Sequence, residues 1–512
     1  MGRKQQPVSS RAKSQNTLHP QSITFLPPST IHYLQSTITK LQSTLFAIII
    51  FLIPSNLFLN LTKNNAFVQG ILVDYLIPKL YLSDIFIGLL FILWFIDLSI
   101  RQLHKPHPFT KSDRSTSTAP THQPSAIGHW LLDIGYYFLP PRAQRSRPYL
   151  ATLINSPAFL TYTTIFWLMV LLTTSVVSTN PTSSAWTIIK LIEFTLLILW
   201  LKGHLELHRL TKPLAFTMIF QSLIAAIQWI QQRSILGYLF LGETSLRING
   251  HLAKTSIGGQ VRVLPYGTTA HPNILAGFLT IGILILIIST KLNLKSLRHH
   301  WLLVITFALS LLAITLTQSI SALIALTIGL ILLTLPRLSQ RLRTAIGILL
   351  PLIPALVIGY WLLVIKPNPL PDSITRRLQL ADISTRMFLH HPILGVGPNN
   401  FTTLMSNYGE VSGTTRFLQP VHNIFLLFIT ETGLLTLILT LALAYALLRS
   451  FDKRLNLSPT LTIPLLAILI IGLFDHYPLS LQSGRLLLSL AAGLSLSSLN
   501  PKNRANFKVT YH

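Results

Sequence analysis

The stretch Pro272-Asn-Ile-Leu-Ala-Gly-Phe-Leu-Thr-Ile-Gly-Ile-Leu-Ile-Leu-Ile-Ile-Ser-Thr290 decides the fold. It has no charged side chain, and a bilayer core of about 30 Å takes about 20 apolar residues as helix. The same reading predicts twelve spans, near 41–59, 82–100, 154–177, 183–201, 213–231, 271–290, 301–316, 319–335, 345–365, 423–448, 460–475 and 481–498. Only Gln318 and its neighbours separate the 301–335 pair, which also reads as one long broken helix. Charged residues make up 11% of the chain, against about 25% in a soluble protein. That excludes a soluble enzyme. The net charge of +26 raises the question of nucleic acid, but the cations are scattered between apolar runs and so answer to a membrane. Cysteine is absent, which excludes a disulfide framework, a thiolate nucleophile and a Cys-ligated metal.

The expected fold class is therefore all-α, a polytopic integral membrane protein of about 12 transmembrane helices. Residues 1–40 are polar and read as a disordered cytoplasmic tail. Spans one to five occupy 41–231, interrupted by a loose Pro-, Ser- and His-rich cytoplasmic loop at 101–148. An extracytoplasmic loop covers 232–270, spans six to nine 271–365, a large extracytoplasmic loop 366–422, the last three spans 423–498, and a cytoplasmic tail 499–512. With the N-terminus inside, the inside segments hold 27 of the 40 cations, as the positive-inside rule expects. Both termini are then cytoplasmic.

The two long outside loops run against this rule. The first carries Arg233, Arg247, Lys254 and Arg262, the second Lys366, Arg376, Arg377, Arg386 and Arg416, with only four carboxylates between them. Loops this long partly escape the charge rule, so solvated arginine is the plain alternative to a function.

Four motifs face this same side. The first runs Arg262-Val-Leu-Pro-Tyr-Gly-Thr-Thr-Ala-His271-Pro272-Asn273. Pro272 suits the first turn of a helix, which puts His271 and Asn273 at the outer mouth of the sixth span, where they also read as a capping cluster. The second runs from Arg377 to Phe401 through Asp382, Arg386, His390-His391-Pro392 and Gly395-Val-Gly397-Pro398. Its first part predicts a short amphipathic interfacial helix with Ile374, Leu378, Ala381 and Met387 or Phe388 on the apolar face. Arg377 and Arg386, nine residues apart, fall on opposite sides of it. The third is Val421-His422-Asn423 at the mouth of the tenth span, with Glu431 and Gly433 inside it. An intramembrane carboxylate defaults to a functional or pairing role. The fourth is Asp475-His476-Tyr477 followed by Gln482-Ser-Gly484-Arg485.

Together, over roughly 260–490, the four resemble the O-antigen ligase/polymerase superfamily of polytopic membrane glycosyltransferases. Two positions depart from that pattern. Ser319-Ile320-Ser321 stands where many members have Ser-Arg, and Ala381 where an aromatic is common. The resemblance implies transfer of a glycan from a polyprenyl (undecaprenyl) diphosphate carrier to a hydroxyl on a glycan, lipid or protein acceptor. The reaction would take place outside the cytoplasmic membrane, among membrane lipids and without nucleic acid.

The residue chemistry suits that reaction. Charge develops on the leaving diphosphate, and an arginine fork bonds two oxygens while staying charged. Arg377 and Arg262 are the candidates, with Arg386 and Arg376 as further substrate-binding cations. The acceptor hydroxyl must lose a proton, and histidine titrates near neutrality. His422 is the candidate base; His271, Asn273, Asn423 and His476 are candidate substrate ligands. No metal or other cofactor is expected, because the outside loops lack an Asp-x-Asp pair or clustered carboxylates. A single base and direct displacement predict inversion at the anomeric carbon. The competing readings are a repeat-unit polymerase of the same class, a lipid-linked glycan transporter and a non-catalytic scaffold.

Overall fold

The computed structural model describes residues 28–103, 157–247, 252–290, 301–335, 372–411, 418–450 and 459–497. These residues are mostly helical. In chain order the helices are α1 Pro28–Leu52, α2 Leu82–Leu103, α3 Pro157–Val176, α4 Pro181–His204, α5 Leu207–Gln231, α6 Pro272–Thr290, α7 Trp301–Thr317, α8 Ile320–Thr334, α9 Asp372–His390, α10 Ile424–Ser450, α11 Pro459–Gly472 and α12 Gln482–Ser497. Among the described residues six helices are long and apolar enough to cross a membrane (α1, α2, α4, α5, α6 and α10), and shorter apolar helices lie in α3, α7, α8 and α11. The chain is thus a helical multi-pass membrane protein. The expected span at 345–365 lies outside the described residues.

The first span differs from the sequence reading. The first helix begins at Pro28 and ends at Leu52 instead of covering 41–59. Its polar half stays helical because Thr37, Thr39, Ser43 and Thr44 each return a hydroxyl bond to the carbonyl four residues back, and Pro54 then stops it. At 301–335 the expected pair of helices is present, Trp301–Thr317 and Ile320–Thr334, broken at Gln318, which takes φ 54°.

Helix α6 is the centre. It packs against α5, α7, α8, α11 and α12, and nearly all of its side chains are buried, as expected of a helix that is apolar all round. Small residues permit the close crossings. A Cβ at Gly277 would lie 1.8 Å from the hydroxyl of Tyr477.

The loops at one end of the bundle interlock. Three short antiparallel pairs form there. Phe58–Asn60 pairs with Lys79–Tyr81, Phe67–Val68 with Ile71–Leu72, and Lys254–Ile257 with Gln260–Val263. The last two are hairpins whose central residues, Gln69-Gly70 and Gly258-Gly259, all have positive φ, the turn that matches strand twist. Asn56 N–H bonds to the carbonyls of Leu241 and Thr268, and Asn399 Nδ2 to the Tyr75 carbonyl at 2.8 Å.

Helix α9 is amphipathic as expected, but the buried stripe is Leu380, Ile383, Ser384 and Met387, while Leu378 is 58% exposed. This corrects the expected burial of Leu378, while Met387 and Ala381 lie against the buried cluster as expected. The three apolar side chains of the stripe join Val396, Phe401, Val421 and Leu427 in one cluster, and Ser384 bonds Thr430 of α10 at 2.7 Å.

The second and third motifs form a single joint. Helix α10 breaks at Gly433, with φ 73° and ψ 174°. The carbonyls freed by the break are taken by the 392–397 segment, with Val396 N–H donating to Thr430 O at 3.1 Å and Gly397 N–H to Glu431 O at 2.9 Å. The freed donors return the exchange, Leu434 N–H to Pro392 O at 2.8 Å and Leu435 N–H to Ile393 O at 3.1 Å. A broken helix survives in a membrane only when its backbone is satisfied in this way. Glu431 completes the joint, its buried carboxylate accepting the backbone N–H of Phe401 at 3.2 Å and that of Asn399. Its role here is structural.

Gly433→Ala should therefore lose folded protein. The left-handed φ alone costs about 1–2 kcal/mol, and the new Cβ would stand 2.2 Å from the Ile393 carbonyl oxygen. Gly88→Ala, with nothing within 4 Å, should be tolerated. Monodisperse yield and thermal unfolding of the two variants check this.

Candidate active site

Three imidazoles converge at the loop end of the bundle. His271 precedes α6, and its Nδ1 accepts the N–H of Asn273 at 3.1 Å. His422 precedes α10, where Asn423 caps the helix by accepting the N–H groups of Phe425 and Leu426 at 2.9 and 3.0 Å. Asn423 also donates to the Leu473 carbonyl, so its work is to fix this mouth. His476 lies in the turn between α11 and α12, its ring edge-on to His422 at 5.1 Å and to Tyr75 at 5.4 Å between centroids. Its Nδ1 is engaged with the Ser480 hydroxyl at 2.6 Å. Asn273 Nδ2 bonds the buried carboxylate of Asp475 at 2.9 Å.

The electrostatics fit a base. Burial is the largest influence on His422 and lowers its pKa. Asp475 opposes this, and Arg377 and His271 add to it. The ring is uncharged at neutral pH, and its Nδ1 finds no hydrogen-bond partner among the described residues. His476, more deeply buried, is pushed down to about 3. Burial acts to raise the Asp475 carboxyl, but the three imidazoles and the Asn273 amide outweigh it and hold the group below its usual range. Asp475 therefore stays ionised beside the histidines.

Of the expected cations, the structure brings Arg377 to this cluster. It is exposed on α9, and its charge acts on His271, His422 and His476 alike. Arg376, its neighbour, is half-buried on the same helix. Arg386 is turned to the outer surface, paired with Asp382 at 2.7 Å one helical turn away. Arg262 lies in the 260–263 strand with its guanidinium carbon 5.0 Å from the Trp229 ring centroid. The intervening turn holds it there. Gln228 accepts the N–H groups of Tyr266 and Gly267, and Gln221 that of Thr268. The arginine charge that acts on the three imidazoles is that of Arg377.

Some residues escaped the sequence reading. A small cavity beside His476 is lined by Tyr75, Lys79, Trp186, Lys190, Gln482 and Arg485, and also by Ser480, the partner of His476. Lys79 is paired with Asp74 at 2.5 Å. Lys190 is paired with Asp84 and, at 2.9 Å, with Glu193, so the three form a triad. Arg485 donates from Nε to the Leu479 carbonyl and has no carboxylate at ion-pair distance among the described residues. A charged residue inside an apolar span was the available signal; nothing in the sequence marks Tyr75.

A neutral imidazole with a free ring nitrogen, beside fixed guanidinium charge and an ionised carboxylate, can take a proton from a hydroxyl and steady a developing anion. No curated protein matches the chain. The family model described as O-Antigen ligase matches residues 305–441, a range that holds Arg377, the joint at Gly433 and His422. The match over that range is consistent with the O-antigen ligase/polymerase superfamily that the four motifs resemble.

Proposed function

We propose that this protein is a membrane glycosyltransferase moving a glycan from a polyprenyl diphosphate carrier to an acceptor hydroxyl on the extracytoplasmic side. Both termini are then cytoplasmic and the membrane is the cytoplasmic one. The observation that carries this is the uncharged His422 ring, with an unengaged Nδ1, set under the Arg377 charge at the head of α10. His422 takes the acceptor proton as the hydroxyl oxygen attacks the anomeric carbon and the carbon–oxygen bond to the diphosphate breaks. Arg377 steadies the departing diphosphate. Asp475 fixes the imidazoles and holds Asn273, while His271 and His476 line the place of transfer. Arg262 and Arg386, engaged elsewhere, have no part in the step.

The pH profile follows from the His422 environment. Its pKa lies below the ordinary 6.5, so the base is present at neutral pH and is lost only in acid. Transfer should be level across pH 7–8 and fall only in acid, at a pH below that at which an unburied imidazole becomes protonated, which initial rates in a constant-ionic-strength buffer series check. The reaction needs no metal in this reading, so excess EDTA should leave the rate unchanged. EDTA inhibition reversed by Mg²⁺ would overturn that point.

Product analysis tests the proposal. Purified protein given lipid-linked repeat units and a candidate acceptor should form a glycosidic bond with inverted anomeric configuration. A single addition to a distinct acceptor means a ligase and a ladder of repeat units means a polymerase. The absence of any new bond, with intact lipid-linked glycan carried across a vesicle, means a transporter and contradicts the proposal.

A further inference from the structure

A second cavity, of about 330 Å³, lies at the opposite end of the helices from the imidazoles, where α2 and α4 end and α5 begins. Its volume is in the range of about 300–1,000 Å³ that accommodates small ligands. Gln42 of α1, Arg101 of α2, Trp200 and His204 of α4, and Arg209 of α5 line it. Two buried donors there lack partners among the described residues, Gln42 Nε2 and Trp200 Nε1. Each residue is 3% exposed. An unpaired buried donor loses its water without compensation, and two in one cavity call for a ligand rich in acceptor oxygens.

The remaining groups agree. Trp200 is fixed in place, its ring stacked on His204 at 5.2 Å and 5°, and the His204 Nδ1 bonds the Trp200 carbonyl at 2.9 Å. Arg101 and Arg209 are tethered by Asp97 at 2.8 Å and Glu206 at 2.8 Å, yet remain 47% and 42% exposed, which leaves donors for an anion. Next to the rim, Leu41, Phe95 and Ile96 are exposed on α1 and α2, an apolar surface suited to acyl chains.

We infer that this cavity binds the phosphodiester headgroup of a membrane phospholipid, with phosphate oxygens accepting from Gln42, Trp200 and the two arginines. Two arginines against the single carboxylate of Glu206 leave the lining net positive, and such a pocket between helix ends is a fitting place for an anionic headgroup. The site is independent of glycan transfer and does not rest on that proposal.

The test uses the full chain purified in detergent, with native mass spectrometry of bound phosphatidylglycerol. One lipid per chain is expected, with affinity about tenfold weaker in Trp200→Phe and in Gln42→Leu, each of which removes one donor. Thermal unfolding in lipid-free detergent should be unchanged in Trp200→Phe, separating binding from folding, and Arg209→Lys should retain the lipid. Displacement of the lipid by millimolar inorganic phosphate would identify a free-phosphate site and overturn the proposal. Equal retention by wild type and both donor variants would also overturn it. His422→Ala should retain the lipid fully, whatever becomes of its transfer activity.

Discussion

His422→Ala lowers glycan transfer by about 10²–10⁴-fold, the usual contribution of a positioned general base, at unchanged protein level and unchanged donor binding. Loss of the ring should not disturb the fold, because Asn423, not His422, caps α10 and ties it to Leu473. Its Nδ1 makes no bond that folding would miss. The expected signature is a fall in kcat with KM little changed, and disappearance of the acid limb of the pH profile. His476→Ala behaves differently. It removes the partner of Ser480 and the ring that packs edge-on against both His422 and Tyr75, so reduced stability accompanies any loss of rate. A His422→Ala protein that transfers normally in membranes would show that another group takes the proton.

Arg377→Ala is the second large effect. Fixed donors aimed at developing charge contribute about 10²–10³ in kcat when removed singly, and a loss of that order is expected. A second consequence separates this residue from a solvated surface arginine. The Arg377 charge helps to hold down the pKa of His422, so its removal lets that pKa rise and moves the acid limb toward neutral pH. Arg377→Lys keeps the charge but not the planar fork. It should restore the position of the acid limb while recovering only part of the rate. Arg386→Ala is the control on the same helix. Its partner is Asp382 at the surface, and exposed pairs of this kind are worth about 0.2–1 kcal/mol, so rate and pH profile should stay as in wild type.

Much of this architecture was legible in the sequence because apolar runs and their lengths are properties of the chain itself. Helices occur at every expected span within the described residues. The limits moved where side chains did unexpected work, as at α1, whose polar first half is kept helical by hydroxyls bonding back to the chain. On α9, Met387 and Ala381 were placed on the right face but Leu378 was not, because it is as apolar as Leu380 and only the neighbours Val396, Phe401 and Val421 decide which one is buried. The joint between Gly395 and Gly433 was visible as two motifs but not as one object. Its bonds are backbone to backbone across a helix break, which side-chain patterns do not encode. In the candidate site, His271 and His422 were picked at span mouths and His476 in the fourth motif, and the structure brings the three rings near one another. Arg262 was chosen as an outer-loop cation of the first motif, and its guanidinium lies over the Trp229 ring. Arg485 stood in plain view but went unassigned, since its distinction lies in lacking a carboxylate partner in space.

The most direct measurement follows both ends of a single turnover. Purified protein is given a doubly labelled polyprenyl diphosphate glycan and an acceptor, and new glycosidic bonds and released carrier diphosphate are counted together. The account predicts equal amounts of the two, both lost in His422→Ala, while that variant still binds the labelled donor. Carrier release without bond formation, or bond formation undiminished in the variant, would contradict it.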